Sequence, residues 1–140
     1  MAAARCFTAP GDPEEAKASL ARACPGAVVL AVRRKVVHNE SFAEMLAAQT
    51  LEAASSGSLL ANKPAIDLLL RLAGTTQIAE AISGAGARKG EPFVVVVAAA
   101  EAALEGASPG QGWTRLPRRA LTRPEMARVE AAALLAVRKG

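Results

Sequence analysis

The chain has 140 residues, 51% of them hydrophobic, with 17 basic and 13 acidic side chains, one histidine and no tyrosine. One domain, residues 1–140, fits that length and can bury about two thirds of its unfolded surface, so neither disulfide nor metal staples are required. The longest strongly apolar run, Phe93 to Ala100, is far shorter than the ~20 residues that span a bilayer, and Met1 to Phe7 lacks a basic leader and cleavage site; membrane insertion and export are therefore not expected, and a cytoplasmic protein with Cys6 and Cys24 as core thiols is.

Residues 3–9 predict a first strand. Asp12-Pro13-Glu14-Glu15 then supplies a cap residue, a helix-compatible proline and two acids at the positive helix end, which predicts a helix to about Ala23. Pro25-Gly26 breaks it, and Ala27 to Val32 is an apolar run of strand length that ends at Arg33-Arg34-Lys35. A longer helix is expected from Asn39 or Ser41 to about Ala54, with Glu44 completing a capping box from Ser41, with Phe42, Met45, Leu46 and Gln49 near one side, and with Ser55-Ser56-Gly57-Ser58 at its end.

Two short helices follow. Pro64 suits the first turn of one, whose Asp67 and Arg71 are spaced to pair opposite Ile66, Leu69, Leu70 and Ala73, and Gly74 should end it. Thr75 or Thr76 would cap the next, with Ile78, Ala79 and Ile82 facing inward and Ser83-Gly84-Ala85-Gly86 closing it. Phe93 to Ala99 predicts a buried strand, Gly106 to Gly112 a loop, and Trp113 to Leu116 a short strand. Thr122-Arg123-Pro124-Glu125 is a capping-box sequence that opens a last helix through Val137, with Met126, Val129, Ala133 and Val137 along one face. The fold class expected is α/β of the α+β kind, an antiparallel or mixed sheet packed against several helices.

Little here points to catalysis. The sequence has no phosphate-binding loop, no dinucleotide fingerprint, no nucleophile elbow and no cluster of metal ligands. His38 lies in a turn, where capping or packing is the commoner role, and no neighbour in sequence would orient it as a base. Charge is uneven: residues 101–140 hold seven basic and four acidic side chains, against six and six in residues 1–60. Arg115, Arg118, Arg119, Arg123 and Arg128 therefore suggest a surface for a polyanion or an acidic protein, or else an ordinary solvated face.

The corner after Gly74 is the better candidate for binding, because the first amides of a helix lack internal partners and can donate to a phosphate or a base edge. The run from Asn62 to Ile82, with its Lys63-Pro64 start, its Leu68-Leu69-Leu70-Arg71-Leu72-Ala73-Gly74 core and its Gln77-Ile78 pair, resembles the signature region of the small non-catalytic subunit of the KEOPS complex, the PRPK-binding protein family. The KEOPS complex installs threonylcarbamoyl on a tRNA adenosine, and the resemblance extends in order over most of the chain.

That resemblance implies a non-enzymatic subunit without a cofactor, one that binds the 3' CCA end of tRNA and docks on the atypical kinase-like subunit and, through it, the catalytic subunit. It places the CCA contact at Asn62, Lys63, Ala73, Gly74, Thr76, Gln77 and Ile78. It places the kinase contact at Met126, Val129, Ala133, Leu134 and Val137. The chain departs from the family in having Thr75-Thr76 where many members carry a basic residue, so Lys63 or Arg71 would supply the charge. The alternatives are a protein-only adaptor on a small kinase and, last, an enzyme built on His38.

Overall fold

The computed structural model describes residues 2–105, 107 and 110–139, and the side chains through Val137. Chain order is β1 (Ala2–Thr8), α1 (Pro13–Ala23), β2 (Val28–Arg33), α2 (Glu40–Ser56), α3 (Pro64–Ala73), α4 (Ile78–Ala85), β3 (Phe93–Ala100), α5 (Glu101–Leu104), β4 (Thr114–Arg115), α6 (Arg123–Ala133) and α7 (Leu135–Lys139). The sheet is antiparallel throughout, in the order β2-β3-β1-β4. Of the expected loop, residues 106, 108 and 109 lie outside the described residues.

Sequence pattern explains the layers. β3 is a central strand and is covered on both faces, so it reads as a continuous apolar run in which residues 93–98 are all buried. Its alternate residues serve two cores. Val94, Val96 and Ala98 face a core completed by Phe42 and Leu46 of α2, Leu68 and Leu72 of α3, Ala81 and Ala85 of α4, and Ala132 and Leu135 near the C-terminus. Phe93, Val95 and Val97 face a smaller core with Ala16 and Leu20 of α1, Cys24, and Leu104 of α5. The two cysteines are free and buried in different cores, Cys6 in the first and Cys24 in the second.

Helix ends follow local chemistry. Asn39 is the α2 cap; its Oδ1 accepts from the Phe42 amide at 3.0 Å, while its Nδ2 donates to Glu125 Oε2 at 2.6 Å. The capping box expected at Ser41 and Glu44 is displaced by this earlier start, and Met45 is exposed instead of inward. α2 ends at Gly57, whose φ of 72° is the left-handed conformation. The box of Thr122 and Glu125 forms in both directions at α6. The last helix breaks at Leu134 into α6 and α7, so Val137 does not continue a single face from Met126. No described helix is long and apolar enough to cross a membrane.

Candidate functional site

α3 is buried on more than its expected side. Asp67 and Arg71 do pair, but both are withdrawn from water along with the leucines. Arg71 Nε donates to Asp67 Oδ1 at 2.7 Å and Nη2 to Oδ2 at 3.2 Å, and Nη1 also donates to Gln49 Oε1 and to the Ala132 carbonyl, each at 3.2 Å. Asp67 accepts further from Thr50 Oγ1 at 2.6 Å and from the Leu60 amide at 2.9 Å. Burial alone would push the Asp67 carboxyl up; the hydrogen bonds from Arg71, Leu60 and Thr50 outweigh it and hold the group below its ordinary range. This network joins α3 to α2 and α6, so Arg71 is not available to a ligand.

α3 ends at the corner. Gly74 has φ 76° and its amide donates to the Leu70 carbonyl at 2.8 Å. A Cβ at Gly74 would meet nothing within 4 Å, so the glycine is required by its backbone angle and not by crowding. Gln77 takes the cap position of α4, yet the cap hydrogen bond comes from Thr75: its Oγ1 accepts from the Gln77 amide at 3.1 Å and donates to Glu80 Oε2 at 2.7 Å. The amides of Ile78, Ala79 and Glu80 have no hydrogen-bond partner among the described residues.

α4 also faces otherwise than expected. Ala81 and Ala85 are its buried residues, whereas Ile78, Ala79 and Ile82 are exposed. The small alanines let the helix lie close to α3, and the isoleucines are left on the outer surface beside the corner. Alternation of small and large residues hid this, because the larger apolar side chains mark the wrong face.

Beside the corner is a hollow of about 340 Å³ lined by Ala73, Thr75 and Glu80, by Leu72, and by two cations from distant segments, Lys35 and Arg128. Arg128 Nη2 donates to the Leu72 carbonyl at 2.8 Å, and its guanidinium lies 4.5 Å from the centroid of the Phe42 ring. Burial pulls its pKa below the ordinary arginine range. Sequence reading missed Lys35 as a site residue and gave Arg128 only as part of a general basic region.

The seven residues expected at the RNA end fall into two groups. Ala73, Gly74, Thr76, Gln77 and Ile78 meet at the corner, where Gly74, Gln77 and Ile78 are exposed. Asn62 and Lys63 are at the opposite end of α3, a 10-residue helix and hence about 15 Å away along its axis. There Lys63 lines a separate depression with Lys17 and Val28. The cations beside the corner are therefore Lys35 and Arg128, not Lys63 or Arg71.

The five residues expected at the kinase contact also divide. Met126, Leu134 and Val137 are exposed at 51%, 59% and 76% of their surface, and Ala133 is exposed beside them. Val129 is half-buried against the main core, and its carbonyl accepts from Gln49 Nε2 at 3.0 Å.

Arg115, Arg118 and Arg119 of the basic C-terminal region are paired with carboxylates. Glu40, fully buried, receives Arg115 Nη2 at 2.6 Å and Arg118 Nη1 at 2.8 Å, Arg118 also reaches Glu44 at 2.6 Å, and Arg119 pairs with Glu125 at 3.3 Å. The same two acids, Glu40 and Glu44, reach β1, since Glu40 Oε2 accepts from the Cys6 amide at 3.0 Å and Glu44 Oε2 from the Ala4 amide at 3.2 Å. Burial would raise the Glu40 pKa, but these hydrogen bonds bring it below the ordinary value. Cys6 sits behind this cluster, where burial and then the Glu40 charge push its thiol far up.

His38 is exposed, with Nδ1 3.5 Å from Arg34 Nη1. Among the described residues no three His, Cys, Asp or Glu side chains are grouped to hold a metal ion. No protein-family model matches the chain, and no curated protein matches it.

Proposed function

We propose that the chain is a non-catalytic tRNA-recruiting subunit of a KEOPS-like complex, in which the corner between α3 and α4 receives the 3' CCA end and the outer surface of α6 and α7 seats the atypical kinase-like subunit. The observation that carries this reading is the set of open amides at Ile78, Ala79 and Glu80, within the segment that carries the family resemblance, next to a hollow that Glu80 lines together with Lys35 and Arg128. Amides suit a phosphate or a base edge, the two cations suit the backbone, and Ile78 offers an apolar surface for a base in place of an aromatic ring.

The mechanism is tethering. A subunit that holds the acceptor end raises the effective concentration of the anticodon loop at a catalytic site elsewhere in the assembly, and no bond is made or broken on this chain. Threonylcarbamoylation of the adenosine is then the work of the catalytic subunit.

A protein-only adaptor is the second reading. It is favoured by Glu80, whose carboxylate stands at the corner and would repel a phosphate, and by the exposed Met126, Leu134 and Val137. Titration of the isolated protein at fixed salt with intact tRNA and with tRNA lacking CCA separates the two. The tRNA reading expects clear loss of affinity without CCA; equal binding to both RNAs contradicts it.

A further inference from the structure

A basic face surrounds the turn between β2 and α2. Its charges come from three places in the chain: Arg33, Arg34 and Lys35 at the turn, Arg88 after α4, and Arg128 on α6. Lys35 lines the corner hollow with Arg128 and also a second hollow of about 420 Å³ with Arg33, Arg34 and His38. The two depressions thus share one exposed lysine in their linings. Arg33 and Arg88 both donate to the Ser83 carbonyl, at 3.4 and 2.9 Å, which places Arg88 beside the second hollow.

These cations differ from the C-terminal arginines in their partners. Arg115, Arg118 and Arg119 are all held by carboxylates. On the turn, Arg33 meets Glu91 at 3.5 Å, while Arg34, Lys35, Arg88 and Arg128 have no carboxylate partner among the described residues. Arg34 and Arg128 are instead oriented by carbonyls, Arg34 by Val37 at 2.8 Å and Arg128 by Leu72 at 2.8 Å, which fixes a guanidinium without cancelling its charge. These cations form a track from the corner hollow to the second one, whose linings also hold one carboxylate each, Glu80 and Glu91.

We infer that this track, Arg128 to Lys35 to Arg34 and Arg88, binds the phosphate backbone of the RNA whose end enters the corner. The inference rests on the proposed function for its choice of RNA over an acidic protein, and it extends that reading from the three terminal nucleotides to the strand that precedes them. Oriented guanidiniums and a lysine spaced over two hollows that share Lys35 suit successive phosphates, and interactions of this kind position a nucleic acid without reading its sequence.

The test is a salt titration of RNA binding by the full chain, comparing wild type with Lys35→Glu and with Lys35→Ala/Arg88→Ala. Both sites are exposed, so thermal melts close to wild type are expected and serve as the folding control. Three RNAs are used: intact tRNA, tRNA lacking CCA, and a CCA trinucleotide. For intact tRNA the variants should bind roughly 3- to 10-fold more weakly near 0.1 M salt, and the slope of log K against log salt should fall by about 0.7–0.9 for each phosphate that is no longer neutralised. In Arg88→Glu, taken as a third variant because Arg88 does not line the corner hollow, trinucleotide binding should change less than 2-fold, whereas the Lys35 variants should weaken it as well.

Unchanged tRNA affinity and slope in the variants, with CCA dependence intact, would overturn the track and leave the corner standing. Reduced affinity in the variants with no dependence on CCA would support the track and remove the corner. Absence of RNA binding by the wild type at low salt would overturn the track.

Discussion

Arg71 and Asp67 are one turn apart on α3 and form a two-pronged ion pair, 2.7 Å from Nε to Oδ1, with both side chains almost wholly withdrawn from water. The pair is surrounded by its own hydrogen bonds to α2, to the Leu60 amide and to the carbonyl of Ala132, so the helix that ends at the corner is fixed on its inner side by charge as well as by leucines. Replacement of one partner leaves the other buried and unmatched.

Arg71→Leu or Asp67→Leu should each lower stability by about 3–5 kcal/mol, the usual cost of breaking a buried pair from one side. Arg71→Lys should recover little, because an ammonium cannot reproduce the fork. Urea denaturation checks this; a loss below about 1 kcal/mol for both single variants would show that water reaches the pair.

Acid sensitivity follows from the same groups. Asp67 and Glu40 both have folded pKa values below their ordinary 3.8 and 4.5. Their contribution is therefore fully present above those ordinary values and is lost as pH falls through the lower folded ones. Stability should be flat from neutral pH to about 5 and decline below about 4. In Glu40→Gln the decline should be shallower and the stability at pH 7 lower, as followed by thermal melts across pH; a steeper acid decline in that variant would reverse the sign.

Gly74→Ala should cost about 1–2 kcal/mol, because an alanine at φ 76° is forced into the left-handed region while nothing nearby resists its methyl group. Gly74→Asn should lose less, since asparagine tolerates that region. Equal losses from the two variants, read by thermal melts, would mean that packing rather than the backbone angle sets the requirement.

Leu134→Asp and Val137→Asp should remove docking on the kinase-like subunit with little change in melting temperature, since both side chains are exposed in the free chain. Co-purification with that subunit is the check. Retained docking in the double variant would move the interface off α6 and α7. Val129→Asp is the contrasting substitution: it puts a charge against the core and should lower the melting temperature as well.

Element order was legible because its signals are local. Pro13, Pro64 and Pro124 sit in first turns, Gly57 and Gly74 end helices in the left-handed conformation, and the unbroken run of β3 marks a central strand. The corner was found for the same reason. Facing was less legible. Asp67 and Arg71 look like a surface pair by spacing alone, and it is partners elsewhere in the chain, Thr50, Gln49, Leu60 and Ala132, that give them a reason to be buried.

Charge was the least legible, because neutralisation is a long-range property. Arg115 and Glu40 are 75 residues apart, and nothing near either in sequence indicates that the arginine meets a buried acid. Counting charges by segment thus pointed to the C-terminal arginines, while a group of cations without carboxylate partners lies around Lys35. Lys35 reaches the corner hollow only because β2 and α3 are brought together in the fold.

An amide-resolved NMR titration of the isolated protein with a CCA trinucleotide reads the corner itself. Saturable shifts are expected, centred on the Ile78, Ala79 and Glu80 amides, with Gly74 and Thr75 following and Met126, Leu134 and Val137 on the outer surface of α6 and α7 unmoved. Shifts confined to other surfaces, or none at millimolar trinucleotide, would contradict recognition of the tRNA end by this chain.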